Sequence, residues 1–152
     1  LSKRSNVAGL RSGFVIGDQE VIKYYKKLRS YSAPTIPIPL QLASAALWND
    51  DKHVNENRKL YKEKFDYADK KLANYKLYKK ADAGFYLWLN VNDGEKFTKK
   101  LYKNYSIKVM PGEYLAFGAD KNPGKNYVRV ALVHDYKVCK FAIDKISELL
   151  SA

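Results

Sequence analysis

The sequence predicts an α/β fold, and three observations carry that expectation. Tyr61, Phe65, Ala68, Leu72 and Tyr75 recur at alternating steps of four and three between residues 52 and 79, the spacing of one buried helical stripe. Two short apolar runs, "FYLWLNV" at 85–91 and "YVRVALV" at 127–133, read as strands. Val138, Ala142, Ile146 and Leu149 then recur as an amphipathic last helix.

The remaining elements follow from local signals. "LRSGFVIG" at 10–17 predicts a short strand bounded by Gly9 and Gly17, and Asp18 caps a helix over 19–30. "SAPTIPIP" puts three prolines in six positions, which excludes regular helix and predicts an extended loop. "LQLASAALW" at 40–48 is a small-residue helix, and "NDD" at 49–51 breaks it or caps the next one. On the long helix of residues 52–79, Lys62, Lys64, Asp66, Asp69, Lys70 and Lys71 are expected on solvent-facing sides. "NDGEKFTKKLYKNY" predicts a turn and a short helix. "IKVMPGEYLAFG" at 107–118 continues with a turn at Pro111 and Gly112, and "DKNPGKN" is a loop.

Composition narrows the function classes. Hydrophobic residues at 46% and charged residues at 29% are ordinary globular usage, and no apolar run approaches the roughly 18 residues of a membrane span. A cytoplasmic setting and no membrane partner are the expectations. Cys139 is the single cysteine and is expected to be a reduced, packed thiol. His53 and His134 have no cysteine at ligand spacing, so no metal site is expected. The net charge of +12 with 13 tyrosines suggests a nucleic-acid-binding module. That reading needs basic residues gathered on one face. Here only Arg4, Arg11, Arg29, Arg58 and Arg129 are arginines, and many of the 23 lysines alternate with Asp and Glu, as on a solvated helix.

Chemistry concentrates at the start of the chain. "LSKRSNVAGLRSG" sets Lys3 ahead of Gly9, Arg11 and Gly13, and so resembles the Schiff-base signature of class I and II pyridoxal-phosphate aminotransferases. Two departures stand out: the first small residue of the signature is missing, and Ser12 occupies a position the family usually fills with an apolar residue. The residue types suit the chemistry. A lysine amine condenses with an aldehyde and also moves protons, whereas an arginine fork donates two hydrogen bonds to a phosphate and stays charged. The resemblance implies that Lys3 is the cofactor anchor and proton shuttle, and that Arg11 binds the cofactor phosphate with Ser2 as an added donor. "KNPGKNYVRVALV" resembles the family's late strand, in which Arg129 binds the substrate α-carboxylate. The alternative for Arg129 is an internal carboxylate partner. "SAPTIPIPLQLASAALWND" resembles the proline-rich crossing at the dimer interface, where Thr35 is a candidate for approaching the partner's cofactor phosphate.

By this resemblance the fold is the C-terminal part of a fold type I pyridoxal-phosphate-dependent transferase. Residues 1–49 are expected to be the remnant of the large cofactor domain, and 50–152 the small domain led by a long helix. The implied activity is transfer of an amino group between an amino acid and a 2-oxo acid, in a homodimer of the full-length form. A lyase on the same cofactor shares Lys3 and Arg11 and remains open. "IPIPLQLAS" and "MPGEYLAFG" resemble succinyl-diaminopimelate transaminases of lysine biosynthesis. The family carries upstream an aspartate for the pyridinium nitrogen, a stacked aromatic ring and a glycine-rich helix start. With none found here and the chain opening in mid-motif, the reading is of a cut edge and a fragment inactive alone.

Overall fold

The computed structural model describes residues 1–32, 35–117 and 122–151. Ala33 and Pro34 of the expected proline-rich loop lie outside them, as do Gly118 of the 107–118 segment and Asp120 and Lys121 of the expected loop at 120–126. The chain divides into two compact units, Leu1–Arg58 and Lys59–Ala152.

The first unit opens with a turn closed by the Ser5 N–H donating to the Leu1 carbonyl at 3.0 Å. A 3₁₀ turn over Ala8–Leu10 follows, and Arg11 ends it in the left-handed conformation (φ 49°). The strand expected at 10–17 does not form, and residues 11–18 are irregular. A strand is stabilised by the hydrogen bonds of a neighbouring strand, and among the described residues of this unit there is none. Helix α1 spans Gln19–Ser32, two residues beyond its expected end, and the Asp18 carboxylate accepts from the Glu20 and Val21 amides at its start. Helix α2 spans Ile38–Asn49, with proline in its first turn, where the missing N–H does no harm. Asp50 then accepts from the Lys52 amide at 2.8 Å and so caps helix α3, Lys52–Leu72, which runs on into the second unit. Apolar burial in this unit is slight: α1 has no buried residue and α2 only Ser44.

The second unit is a two-layer α/β structure. Strands β1 (Tyr86–Asn90), β2 (Met110–Pro111) and β3 (Tyr127–Ala131) form an antiparallel sheet in the order β1-β3-β2. One sheet face packs on α3, α4 (Gly94–Tyr105) and α5 (Tyr136–Ser151). Ala68 and Leu72, Leu87 and Leu89, Phe97 and Leu101, Val128 and Val130, and Ile143 and Ile146 meet there in one core with Cys139 and Leu132. Alternation along β3 is as expected: Val128, Val130 and Leu132 are buried, while Tyr127, Arg129 and Ala131 face the other way. The segment after Pro111 is a 3₁₀ turn, Gly112–Leu115.

Two expectations about α3 fail. The helix ends at Leu72, so Tyr75 lies beyond it and donates its hydroxyl to the Asn90 carbonyl at 2.9 Å. Lys64 is not solvent-facing but 7% exposed, donating to the carbonyls of Leu132 at 2.9 Å and His134 at 2.5 Å, where β3 has just ended. Its position three after Tyr61 and four before Ala68 puts it on the buried stripe, and the ammonium is accommodated because carbonyls without ladder partners meet it there.

Candidate active site

Lys3 sits at the centre of the opening turn, and its neighbours fix that turn in place. Arg4 donates to the Leu47 carbonyl at 2.6 Å and to the Asp51 carboxylate at 2.6 Å, with its guanidinium 5.0 Å from the centre of the Trp48 ring. Ser5, itself buried, shares a 2.9 Å hydrogen bond with His53 Nε2, and His53 Nδ1 lies 2.7 Å from Asp50. The His53 hydrogen bond holds the Asp50 carboxyl below its ordinary range. The lysine turn is thus tied on both following residues to the end of α2 and the start of α3.

Ser12, the departure from the family pattern, shares a 2.8 Å hydrogen bond with Ser44 on α2, which gives a polar residue its partner at a site usually apolar. Gly9 lies inside the 3₁₀ turn, and neither Gly9 nor Gly13 is pressed by neighbouring atoms. The left-handed conformations here fall on Asn6 and Arg11 instead.

Arg11 and Thr35 line one open groove of about 700 Å³ together with Tyr25, Arg29 and the backbone of Gly9 and Gly13. Arg11 is exposed and donates to the Ala8 carbonyl at 3.0 Å. Arg11, Arg29, Thr35 and Tyr25 thus share one groove, and their side chains are of the donor types that suit a phosphate-sized anion. Lys3 and Ser2 are not among the groove's lining residues; both lie on the turn that precedes it.

Arg129 belongs to the second unit. It stands half-buried on the helix-free sheet face, opposite Trp88 of β1 and Met110 of β2. Its guanidinium carbon is 5.8 Å from the centre of the Tyr86 ring, and no carboxylate among the described residues pairs with it. The internal carboxylate that the sequence left open as its partner is therefore not seen among them.

Sequence reasoning missed Arg4, Ser5, His53, Arg29 and Tyr25. The adjacency of Arg4 to Lys3 was a usable signal; nothing in the sequence ties Arg29 on α1 to Arg11. Elsewhere, Lys62–Asp66, Lys99–Glu95 and Lys140–Asp144 pair along helices at 2.6, 2.6 and 3.2 Å. Cys139 is buried, and burial pushes its thiol up from the ordinary value. No described helix is long and apolar enough to cross a membrane.

Comparison with known proteins shows the family. The family described as "Aminotransferase class I and II" matches residues 1–146, and the chain belongs to that family. Its members are pyridoxal-phosphate enzymes. An LL-diaminopimelate aminotransferase from Natranaerobius thermophilus is 34% identical over 99% of this chain and 39% of its own length. A crystal structure of an aminotransferase from Neisseria meningitidis is 45% identical with a TM-score of 0.91, covering 98% of this chain and 39% of that one. The aminotransferase AspB of Helicobacter pylori is 36% identical with a TM-score of 0.83, over 99% and 38%. The fold is therefore part of a fold type I aminotransferase, and the chain spans about two-fifths of the length of the curated relatives it matches.

Proposed function

We propose that this chain supplies the cofactor lysine, the phosphate arginine and the substrate-carboxylate arginine of an aminotransferase that moves an amino group between an amino acid and a 2-oxo acid. The observation that carries the reading is the folded signature: Lys3 on a turn fixed by Arg4 and Ser5, followed by Arg11 facing a groove it shares with Arg29 and Thr35.

In this reading residues 1–49 are the remnant of the large cofactor domain and 50–152 the small domain. Arg11 holds the cofactor phosphate with Ser2 as an added donor, Lys3 holds its aldehyde carbon, and Thr35 approaches the partner's cofactor phosphate. Pyridoxal phosphate, when bound, supplies an electron sink that acidifies the substrate Cα–H. Once the substrate amine has displaced it from the aldehyde carbon, Lys3 Nζ takes up that proton and delivers it to the former aldehyde carbon, C4′. Arg129 receives the α-carboxylate as a planar bidentate partner, which fixes the Cα in place. The relatives extend well beyond the matched region, and the groups for the pyridinium nitrogen belong there in this family. The 152 residues alone are accordingly inactive in this account, and the working form is a cytoplasmic homodimer of a full-length subunit.

The finer assignment is to amino-acid biosynthesis, with a diaminopimelate-type substrate supported by relatives called LL-diaminopimelate aminotransferase at 34% and 29% identity. A glutamate-pyruvate aminotransferase of Escherichia coli at 30% identity supports only the broader class. Titrating a full-length subunit with pyridoxal phosphate tests the reading through visible absorbance. Arg11→Ala is expected to weaken retention about tenfold or more, as loss of a charged hydrogen bond implies. Unchanged retention contradicts it.

A further inference from the structure

On the helix-free face of the sheet, Arg129 stands half-buried on the central strand β3. Tyr86, Trp88 and Asn90 of β1 stand against Ala131, Arg129 and Tyr127 of β3 in direct register. The side chains, however, meet along diagonals. Trp88 stacks on Tyr127, with centroids 5.3 Å apart and planes 10° from parallel, and Tyr86 takes Arg129. Both diagonals lean the same way, as reach between i and j±2 neighbours permits in a twisted antiparallel pair. Trp88 is committed to its side: a Cβ on Gly112 would stand 2.8 Å from its Cη2, so only glycine there lets the indole lie where it does. Tyr86 is in turn braced by an edge contact from Phe85 at 5.4 Å.

We propose that Tyr86 is a positioning residue for Arg129, holding the guanidinium ready for the substrate carboxylate. The inference rests on the reading of Arg129 given above. Its physical basis is the kind of partner that Tyr86 provides. A carboxylate partner would occupy the in-plane N–H fork that a substrate carboxylate needs, whereas a ring face attracts the cation and takes up none of its hydrogen-bond donors. The arginine is thereby restrained before substrate arrives, which removes part of the ordering cost of binding. The phenol hydroxyl has no part in this; the ring carries the effect.

The test uses a full-length subunit with Tyr86→Leu, Tyr86→Phe and Arg129→Lys. Tyr86→Leu is expected to raise KM for the amino acid and the 2-oxo acid about two- to fivefold, the equivalent of about 0.5–1 kcal/mol, with kcat within about twofold. Tyr86→Phe restores most of that loss, and an amine substrate without an α-carboxylate feels neither change. In the 152-residue chain, the Arg129 side-chain resonances carry an upfield ring shift that Tyr86→Leu removes and Tyr86→Phe keeps. Equal losses in both variants, or an equal loss for the carboxylate-free amine, overturn the inference. If Arg129→Lys raises KM but Tyr86→Leu does not, only the inference fails; if Arg129→Lys leaves KM unchanged, the reading of Arg129 fails first.

Discussion

The two units are held together by different physics. In Lys59–Ala152, side chains from three helices and the sheet close a single apolar core in which Leu72, Leu87, Leu101, Ile143 and Ile146 are 1% exposed or less. In Leu1–Arg58, Phe14, Ile16, Tyr24, Tyr31 and Leu42 are all more than 60% exposed, and order comes from polar ties: Arg4 to Leu47 and Asp51, Ser5 to His53, Ser12 to Ser44. An apolar core resists change through packing, whereas a polar clamp fixes one turn and leaves the surrounding apolar surface without cover. The segment that carries Lys3 and Arg11 is of the second kind.

Substitutions sharpen this contrast, and the largest effect belongs to the core. Ile146→Ala is expected to lower the unfolding free energy by about 2–5 kcal/mol in denaturant titration, through lost transfer energy and a cavity. Leu28→Ala on α1, half-exposed, is expected to cost within about 0.5 kcal/mol. Equal costs would erase the distinction between the units. Lys64→Met comes next. It leaves the Leu132 and His134 carbonyls without their donor and is expected to cost about 1–3 kcal/mol, against almost nothing for Lys62→Met.

A pH effect of smaller size resides in the second unit. Burial of Asp144 opposes its ionisation, but hydrogen bonds from Tyr67, Lys71 and Lys140 outweigh it and hold the carboxyl at about 2, below the ordinary 3.8. A depressed folded-state value contributes stability that is whole above about pH 4 and is lost as pH falls toward 2. Asp144→Asn is expected to remove about 1–2 kcal/mol at neutral pH and to flatten the acid limb of the stability profile between pH 4 and 2. An acid limb identical to the parent's would rule this out. A smaller loss than that of Asp144→Asn is expected from Arg4→Ala, about 1 kcal/mol, read as faster hydrogen exchange at the Ser5 amide with the β1 and β3 amides unchanged.

The sequence exposed the second unit more fully than the first, for the same reason. Stripes such as Phe65, Ala68 and Leu72, and the alternation through Val128, Arg129 and Val130, are periodic signals of a self-contained core. Lys64 was misread because residue type was weighed above its place on the stripe, and Tyr75 because a pattern can continue in space after its helix has ended. In the first unit the apolar run at 10–17 has strand composition but no strand beside it, so composition and conformation part. The Lys3 and Arg11 signature was legible as a motif. The clamp that fixes it was not, because Arg4, Asp51 and His53 are joined by folding across more than forty residues of sequence.

Borohydride reduction of a full-length subunit loaded with pyridoxal phosphate, followed by peptide mapping, tests the central claim most directly. The account predicts a phosphopyridoxyl group on Lys3, lost in Lys3→Ala and retained in Lys64→Arg. Label on a different lysine, or no label after loading, would contradict it.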